Sequence, residues 1–223
     1  MKKIGVLGGS FNPVHNGHLR LALEAAELLG LDRVDMVPAA RPPHKSARGL
    51  LGFEVRVRLI EAAVSGLACL GVNTLEAERP GPSYTCHTLQ AYRALFPGDE
   101  IFFILGTGDL FTLPEWFNGL ALPDLANLAV GSRPDVSGAL SRLREFVGQH
   151  WPDAVPENTG IGWRFPSGHR LLSLEIPLLD ISSSDVRERW RNGRSIRGLV
   201  PESVEQVLSG LGSEVLTAWS GLE

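Results

Sequence analysis

Cysteine is scarce in this sequence, with two residues, Cys69 and Cys86, among 223. Their spacing fits neither a metal site nor a disulfide framework, and both read as free thiols of a reducing compartment. Long apolar runs are missing too. The run behind Lys2 and Lys3, Ile4 to Leu7, spans four residues, too few for a signal-peptide core, and no stretch approaches the ~18 consecutive apolar residues of a membrane helix. Both absences point to a cytoplasmic protein that makes no membrane contact. A surplus of positive charge is also lacking. Lysine and arginine number 21 against 25 aspartates and glutamates, a net charge of −4, which excludes the basic face that long nucleic acid requires and leaves room only for a local basic pocket. Neither a Walker loop nor the G-x-G-x-x-G dinucleotide fingerprint occurs, and there is no internal repeat or low-complexity segment.

What is present is an ordinary globular balance, 43% hydrophobic and 21% charged, which rules out a disordered chain. The length favours one large domain over two. Glycine is in excess, at 25 residues or about 11% against a usual figure of roughly 7%, the mark of many tight loops between short elements.

Those elements alternate. Ile4 to Leu7 reads as a strand, and Leu19, Ala22, Leu23 and Ala26 fall at helical spacing before a stop at Gly30. Strands are expected at 34–37, 70–75, 101–105, 128–130 and 171–176, and helices at 53–64, 83–96, 139–147, 183–190 and 201–208. Ile101-Phe102-Phe103-Ile104-Leu105 is the clearest strand, an unbroken apolar run of the kind buried on both faces of a parallel sheet. From His150 to His169 prolines, glycines and polar residues break the pattern, and a long surface loop or an excursion is expected. The whole implies an α/β fold, a Rossmann-like, doubly wound, mainly parallel sheet with helices on both faces. A single domain spans 1–223, with an excursion around 135–169 and a small helical C-terminal part from about 183.

In such sheets ligands bind beyond the carboxyl ends of the strands. Four strand exits carry polar sets: Gly8 to His18, Arg41 to Lys45, Gly106 to Asp109, and Ser182 to Arg187. Gly8 and Gly9 let backbone N–H groups approach a ligand closely, and the helix start behind them adds partial positive charge, which suits phosphate. His15 and His18 lie within one turn and can share a corner, where a bound anion favours their charged forms. Lys45 and Arg187 add cationic donors, the helix start at Ser183 adds N–H groups, and Asp109 offers a carboxylate of the kind that meets ribose hydroxyls. Singly, each has a structural reading: a turn, a solvated lysine, a helix cap. Together they favour a phosphate site.

The run G-G-S-F-N-P-V-H-N-G-H from Gly8 resembles the opening motif of the nucleotidyltransferase superfamily, with His15-Asn16-Gly17-His18 in the place of its H-x-G-H signature. Pro42 to Lys45, Gly81 to Thr85 with Thr88-Leu89, Gly106 to Asp109 with Leu113 and Trp116, Ile181 to Ser183 with Arg187, and Val200-Pro201 resemble bacterial nicotinate-nucleotide adenylyltransferase over roughly 1–208. That resemblance implies adenylyl transfer from ATP to nicotinate mononucleotide, giving deamido-NAD and pyrophosphate. It assigns catalysis to His15, His18, Lys45 and Arg187. ATP would be bound by Gly8, Gly9, Ser10, Phe11, His15, His18, Gly106, Asp109, Ser183 and Arg187, and the nicotinate nucleotide by Lys45, Tyr84, Thr85, Trp116 and Phe117. Mg²⁺ would bridge the ATP phosphates, with ligands mainly from substrate and water because no carboxylate cluster is seen. No metal-binding residue is assigned, and homo-oligomer formation is left open. Rival acceptors are nicotinamide mononucleotide and phosphopantetheine; the rival class is a nucleotide sensor without turnover. Two positions depart from the family pattern: His87 stands where aspartate is usual, and Gly198 where tyrosine is common.

Overall fold

The computed structural model describes residues 1–43, 49–132, 138–157, 161–177 and 179–220. Its elements are β1 (Lys3–Gly9), α1 (Asn16–Leu29), β2 (Arg33–Pro38), α2 (Phe53–Val64), β3 (Leu70–Val72), α3 (Thr85–Leu95), β4 (Glu100–Gly106), α4 (Thr107–Thr112), β5 (Asn127–Ser132), α5 (Ala139–His150), β6 (Val155–Pro156), β7 (Gly162–Arg164), β8 (Arg170–Glu175), α6 (Ser183–Arg191), α7 (Glu202–Leu211) and α8 (Ser213–Ser220). The alternation expected from periodicity is there. The chain forms two compact units, each assembled from three stretches: Met1–Gly8, Leu21–Val34 and Tyr84–Leu178 in the first, Gly9–Arg20, Asp35–Ser83 and Leu179–Glu223 in the second.

The first unit carries strands in the order β1-β4-β5-β8-β7-β6. β1 pairs β4, β4 pairs β5 and β5 pairs β8, all parallel. The apolar run of β4 is responsible: Ile101 to Leu105 are each at most 4% exposed, so the strand is packed on both faces as its composition demanded. The register sets Leu7 opposite Ile104 and Gly106 opposite Gly131, which aligns the glycine exits of β1, β4 and β5 along one edge. Thr107 at the start of α4 secures that edge by donating to the Gly131 carbonyl at 2.8 Å.

The surface loop expected over 150–169 is instead largely a hairpin. β6 and β7 pair antiparallel, and β7 pairs antiparallel with β8. Strands of two and three residues are too short to leave an alternation in the sequence. Trp151 anchors the entrance by donating from Nε1 to the Leu120 carbonyl at 2.9 Å, and Trp163 is buried.

In the second unit β2 neighbours β3, and the Asn73 amide donates to the Met36 carbonyl at 3.1 Å. Helix α2 packs on β3 and α7, where Ser203 Oγ donates to the Ala62 carbonyl at 2.7 Å. The last expected helix runs on to Leu211, and α8, which the sequence reading did not foresee, packs on α6 and α7. Arg56 is buried, and its guanidinium answers two main-chain carbonyls, Leu51 at 3.0 Å and Ser10 at 2.9 Å. Burial lowers its pKa, and the neighbouring Glu76 opposes that shift.

Trp116 to Asn118 lie between two 3₁₀ turns, Leu113–Glu115 and Gly119–Asp124. Gly119 makes their close approach possible, because a Cβ there would overlap the Leu113 carbonyl oxygen. Gly119→Ala should therefore cost about 3 kcal/mol or more, since a backbone atom cannot step aside as a side chain can; urea unfolding measures it.

Candidate active site

In the second unit the loop after β1 folds back on itself. Phe11 is buried with a left-handed backbone (φ 45°), and its ring meets His18 edge-on, centroids 4.9 Å apart. α1 begins at Asn16, early enough to bring His15 and His18 together. Their rings stack with centroids 3.6 Å apart and planes 26° apart. His18 Nδ1 accepts the His15 backbone N–H at 3.2 Å, so the neutral ring carries its proton on Nε2 and can donate from there. Gly17 leaves the space for this pair: an added Cβ would sit 3.0 Å from His15 Nδ1.

Helix α6 is sewn to the same loop. Ser183 Oγ donates to the Pro13 carbonyl at 2.9 Å, and Arg187 Nη1 donates to the Asn12 carbonyl at 2.8 Å. Arg187 Nη2 donates to Ser184 Oγ at 3.0 Å, while its buried Nε has no partner among the described residues. Ser182, not Ser183, caps the helix, accepting the Asp185 N–H at 3.0 Å. The stretch therefore gathers Gly9, Ser10, Phe11, His15, His18, Ser183 and Arg187. Lys45 lies outside the described residues.

Burial decides the charge of His15. The residue is 7% exposed, and desolvation pulls its pKa from the usual 6.5 down to about 4. Its Nδ1 is buried without a partner among the described residues. The protonated imidazole expected from the sequence thus requires an anion; on its own the pocket holds a neutral ring. Arg187 is likewise shifted down by burial.

The first unit holds Gly8 and the second set of expected residues. Asp109 stands in the first turn of α4 with its carboxylate over Gly106: a Cβ there would lie 3.6 Å from Oδ2. Tyr84 and Phe117 stack, centroids 4.5 Å and planes 28° apart, with Phe117 47% exposed. Thr85 opens α3 with no side chain capping it and no acidic residue in its first turn, which leaves the positive end of the helix uncompensated. Trp116 is half-buried, donates from Nε1 to Thr112 Oγ1 at 3.1 Å and meets Phe103 edge-on. Among the described residues no group of three or more His, Cys, Asp or Glu is arranged to hold a metal ion, and no helix is long and apolar enough to cross a membrane.

A cytidylyltransferase-like family model matches residues 6–189. The probable nicotinate-nucleotide adenylyltransferase of Geotalea daltonii is 41% identical, over 92% of this chain and 95% of its own length. The chain belongs to the nicotinate-nucleotide adenylyltransferase family. The relative from Trichlorobacter lovleyi, with the same description, is 40% identical over 94% and 98%. Among solved structures, Plasmodium falciparum nicotinic acid mononucleotide adenylyltransferase complexed with NaAD has a TM-score of 0.71 at 18% identity, covering 96% of this chain and 98% of that one, and shares its fold. The expected Rossmann-like α/β class is the one found.

Both departures from the adenylyltransferase pattern have a place in the structure. His87 packs edge-on against Tyr84 and Phe117, 5.7 Å from each ring. Gly198 adopts φ +77°, a conformation few other residues tolerate, and its carbonyl accepts Asn16 Nδ2 at 2.8 Å. Sequence reading missed Asn12 and Pro13, whose carbonyls hold Arg187 and Ser183, although both stand inside the motif.

The depressed His15 pKa fixes a pH window. The folded state binds the proton less well than the unfolded chain, so the contribution to stability is full above pH ~6.5 and is lost as pH falls toward 4. Relative to His15→Asn, the wild type should lose about 3 kcal/mol across that interval, read from urea unfolding at stepped pH.

Proposed function

We propose that this protein transfers the AMP part of ATP to nicotinate mononucleotide, forming deamido-NAD and pyrophosphate. The observation that carries the reading is the joining of the His15–His18 stack and the Arg187 guanidinium on one loop, in a member of this family. A phosphate oxygen of the mononucleotide attacks the α-phosphorus of ATP, a new P–O bond forms, and the bond to pyrophosphate breaks with its electron pair leaving on the departing oxygen. The attacking oxygen is already an anion, so no protein nucleophile is required; positioning and charge stabilisation supply the acceleration.

The roles follow from the donors. His18 donates from Nε2 to a non-bridging oxygen of the α-phosphate. His15, neutral while the pocket is empty, gains its proton as phosphate enters, since the anion reverses the desolvation penalty. Arg187, anchored at Nη1 and Nη2, presents its remaining guanidinium N–H groups to the β- and γ-phosphates with the N–H groups at the start of α6, and Lys45 joins them from its loop. Gly8, Gly9, Ser10 and Phe11 line the phosphates with main-chain groups, and Gly106 and Asp109 meet ribose. Trp116 stacks on the pyridine ring, and N–H groups near Thr85 and Phe117 receive the carboxylate. Tyr84 forms the wall behind them. Mg²⁺ would be held through the ATP phosphates and water rather than by protein carboxylates, and would supply charge neutralisation there. The enzyme acts in the cytoplasm.

A kcat/KM comparison of nicotinate mononucleotide, nicotinamide mononucleotide and phosphopantetheine tests the acceptor, and the first is expected to lead. A lead for phosphopantetheine overturns the pyridine assignment, and absence of pyrophosphate release with all three leaves a nucleotide sensor. His18→Ala is expected to lower kcat about a hundredfold or more while the ATP dissociation constant stays near wild type, because the group acts mainly in the transition state. An unchanged kcat removes His18 from the mechanism.

A further inference from the structure

Trp219 near the end of α8 has no solvent exposure and is the largest fully buried side chain among the described residues. Its indole reaches two parts of the phosphate corner. Nε1–H donates to Asn12 Oδ1 at 3.4 Å, and the ring meets Trp190 of α6 edge-on, centroids 6.3 Å apart at 88°. Trp190 lies three residues beyond Arg187 on the same helix, so its packing restrains the turn that carries the guanidinium.

Asn12, only 4% exposed, is hydrogen-bonded at Oδ1, at Nδ2 and at its main-chain carbonyl. Oδ1 also accepts the Leu51 N–H at 3.1 Å, Nδ2 donates to the Gly49 carbonyl at 2.6 Å, and the main-chain carbonyl accepts Arg187 Nη1 at 2.8 Å. Two donors on Oδ1 and one acceptor at Nδ2 permit a single orientation of the amide. The flipped one would set donor against donor at Leu51 and Trp219, and acceptor against acceptor at Gly49. The preceding residue, Phe11, sits in the left-handed region, a conformation that persists only when its surroundings over-determine it.

We propose that Trp219 is a positioning residue for the triphosphate subsite, acting through Asn12 and Trp190 to hold the Phe11–Pro13 backbone and Arg187 in register. This rests on the phosphate-binding role given to that corner above. The C-terminal helix is then part of the build of the ATP site and not only a cover for the core.

Trp219→Phe tests it, because the ring remains for Trp190 and the core while the N–H donor is removed. The KM for ATP should rise about tenfold, with the KM for nicotinate mononucleotide unchanged and the circular dichroism spectrum of the wild type retained. A residue that only supports the fold would lower the active fraction and hence kcat, without moving either KM. An ATP KM equal to that of the wild type overturns the proposal. The wild type gives a second measurement that needs no variant to fold: the Trp219 indole ¹H–¹⁵N resonance should shift on addition of ATP and stay in place on addition of the mononucleotide alone. A resonance unmoved by ATP also overturns it. Absence of pyrophosphate release by the wild type counts against the proposed reaction alone, and the indole shift on ATP still decides the role of Trp219.

Discussion

A main-chain carbonyl shut away from water has to be met by a donor, and the loop from Phe11 to Pro13 has two such carbonyls side by side. Asn12 is answered by Arg187 and Pro13 by Ser183, both from α6, a helix some 170 residues further along the chain (|i−j| 175 and 170). Much of the second unit's corner depends on that constraint. It draws the start of α6 to the glycine loop, ties a guanidinium to the loop that carries the two histidines, and gives the strained backbone of Phe11 fixed neighbours. Asn12 extends the same logic through its side chain to Gly49, Leu51 and Trp219, so the binding corner and the fold of the second unit are one hydrogen-bonded network.

Burial is the opposing pressure. The stack that brings His15 and His18 to 3.6 Å also strips water from His15, and desolvation holds that ring neutral. Two protonated imidazoles at that distance would repel each other, and the neutral His15 ring avoids that repulsion. A bound phosphate would supply the missing stabilisation, and the charge of His15 would then follow occupancy. Arg187 is also shifted down by burial but stays a charged guanidinium; its buried Nε has no partner among the described residues, while Nη1 holds the Asn12 carbonyl and Nη2 holds Ser184 Oγ.

The aromatic set in the first unit works by shape instead. Tyr84 and Phe117 offer parallel ring faces, His87 stands edge-on to both, and the 3₁₀ turns around Gly119 hold Trp116 and Phe117 in consecutive positions. A histidine in place of the usual aspartate fits a neighbourhood made of rings, where a carboxylate would have no cationic partner among Tyr84 and Phe117.

Much of this was legible in the residues themselves. Apolar runs identified β1, β4 and β5, and periodicity placed α2 over 53–64, because strand burial and helical repeat are local properties of a sequence. The hairpin of β6 and β7 was not legible, since strands so short are made by their partners rather than by their own pattern. Nor was Trp219: one tryptophan in a C-terminal segment carries no mark of the asparagine it will meet, which stands 207 residues away in the chain. The sequence by itself determined the fold class and the family. Only the tertiary structure decided which carbonyls hold Ser183 and Arg187, and that His15 starts out neutral, because long-range hydrogen bonds and desolvation depend on what surrounds a group and not on its neighbours in the chain.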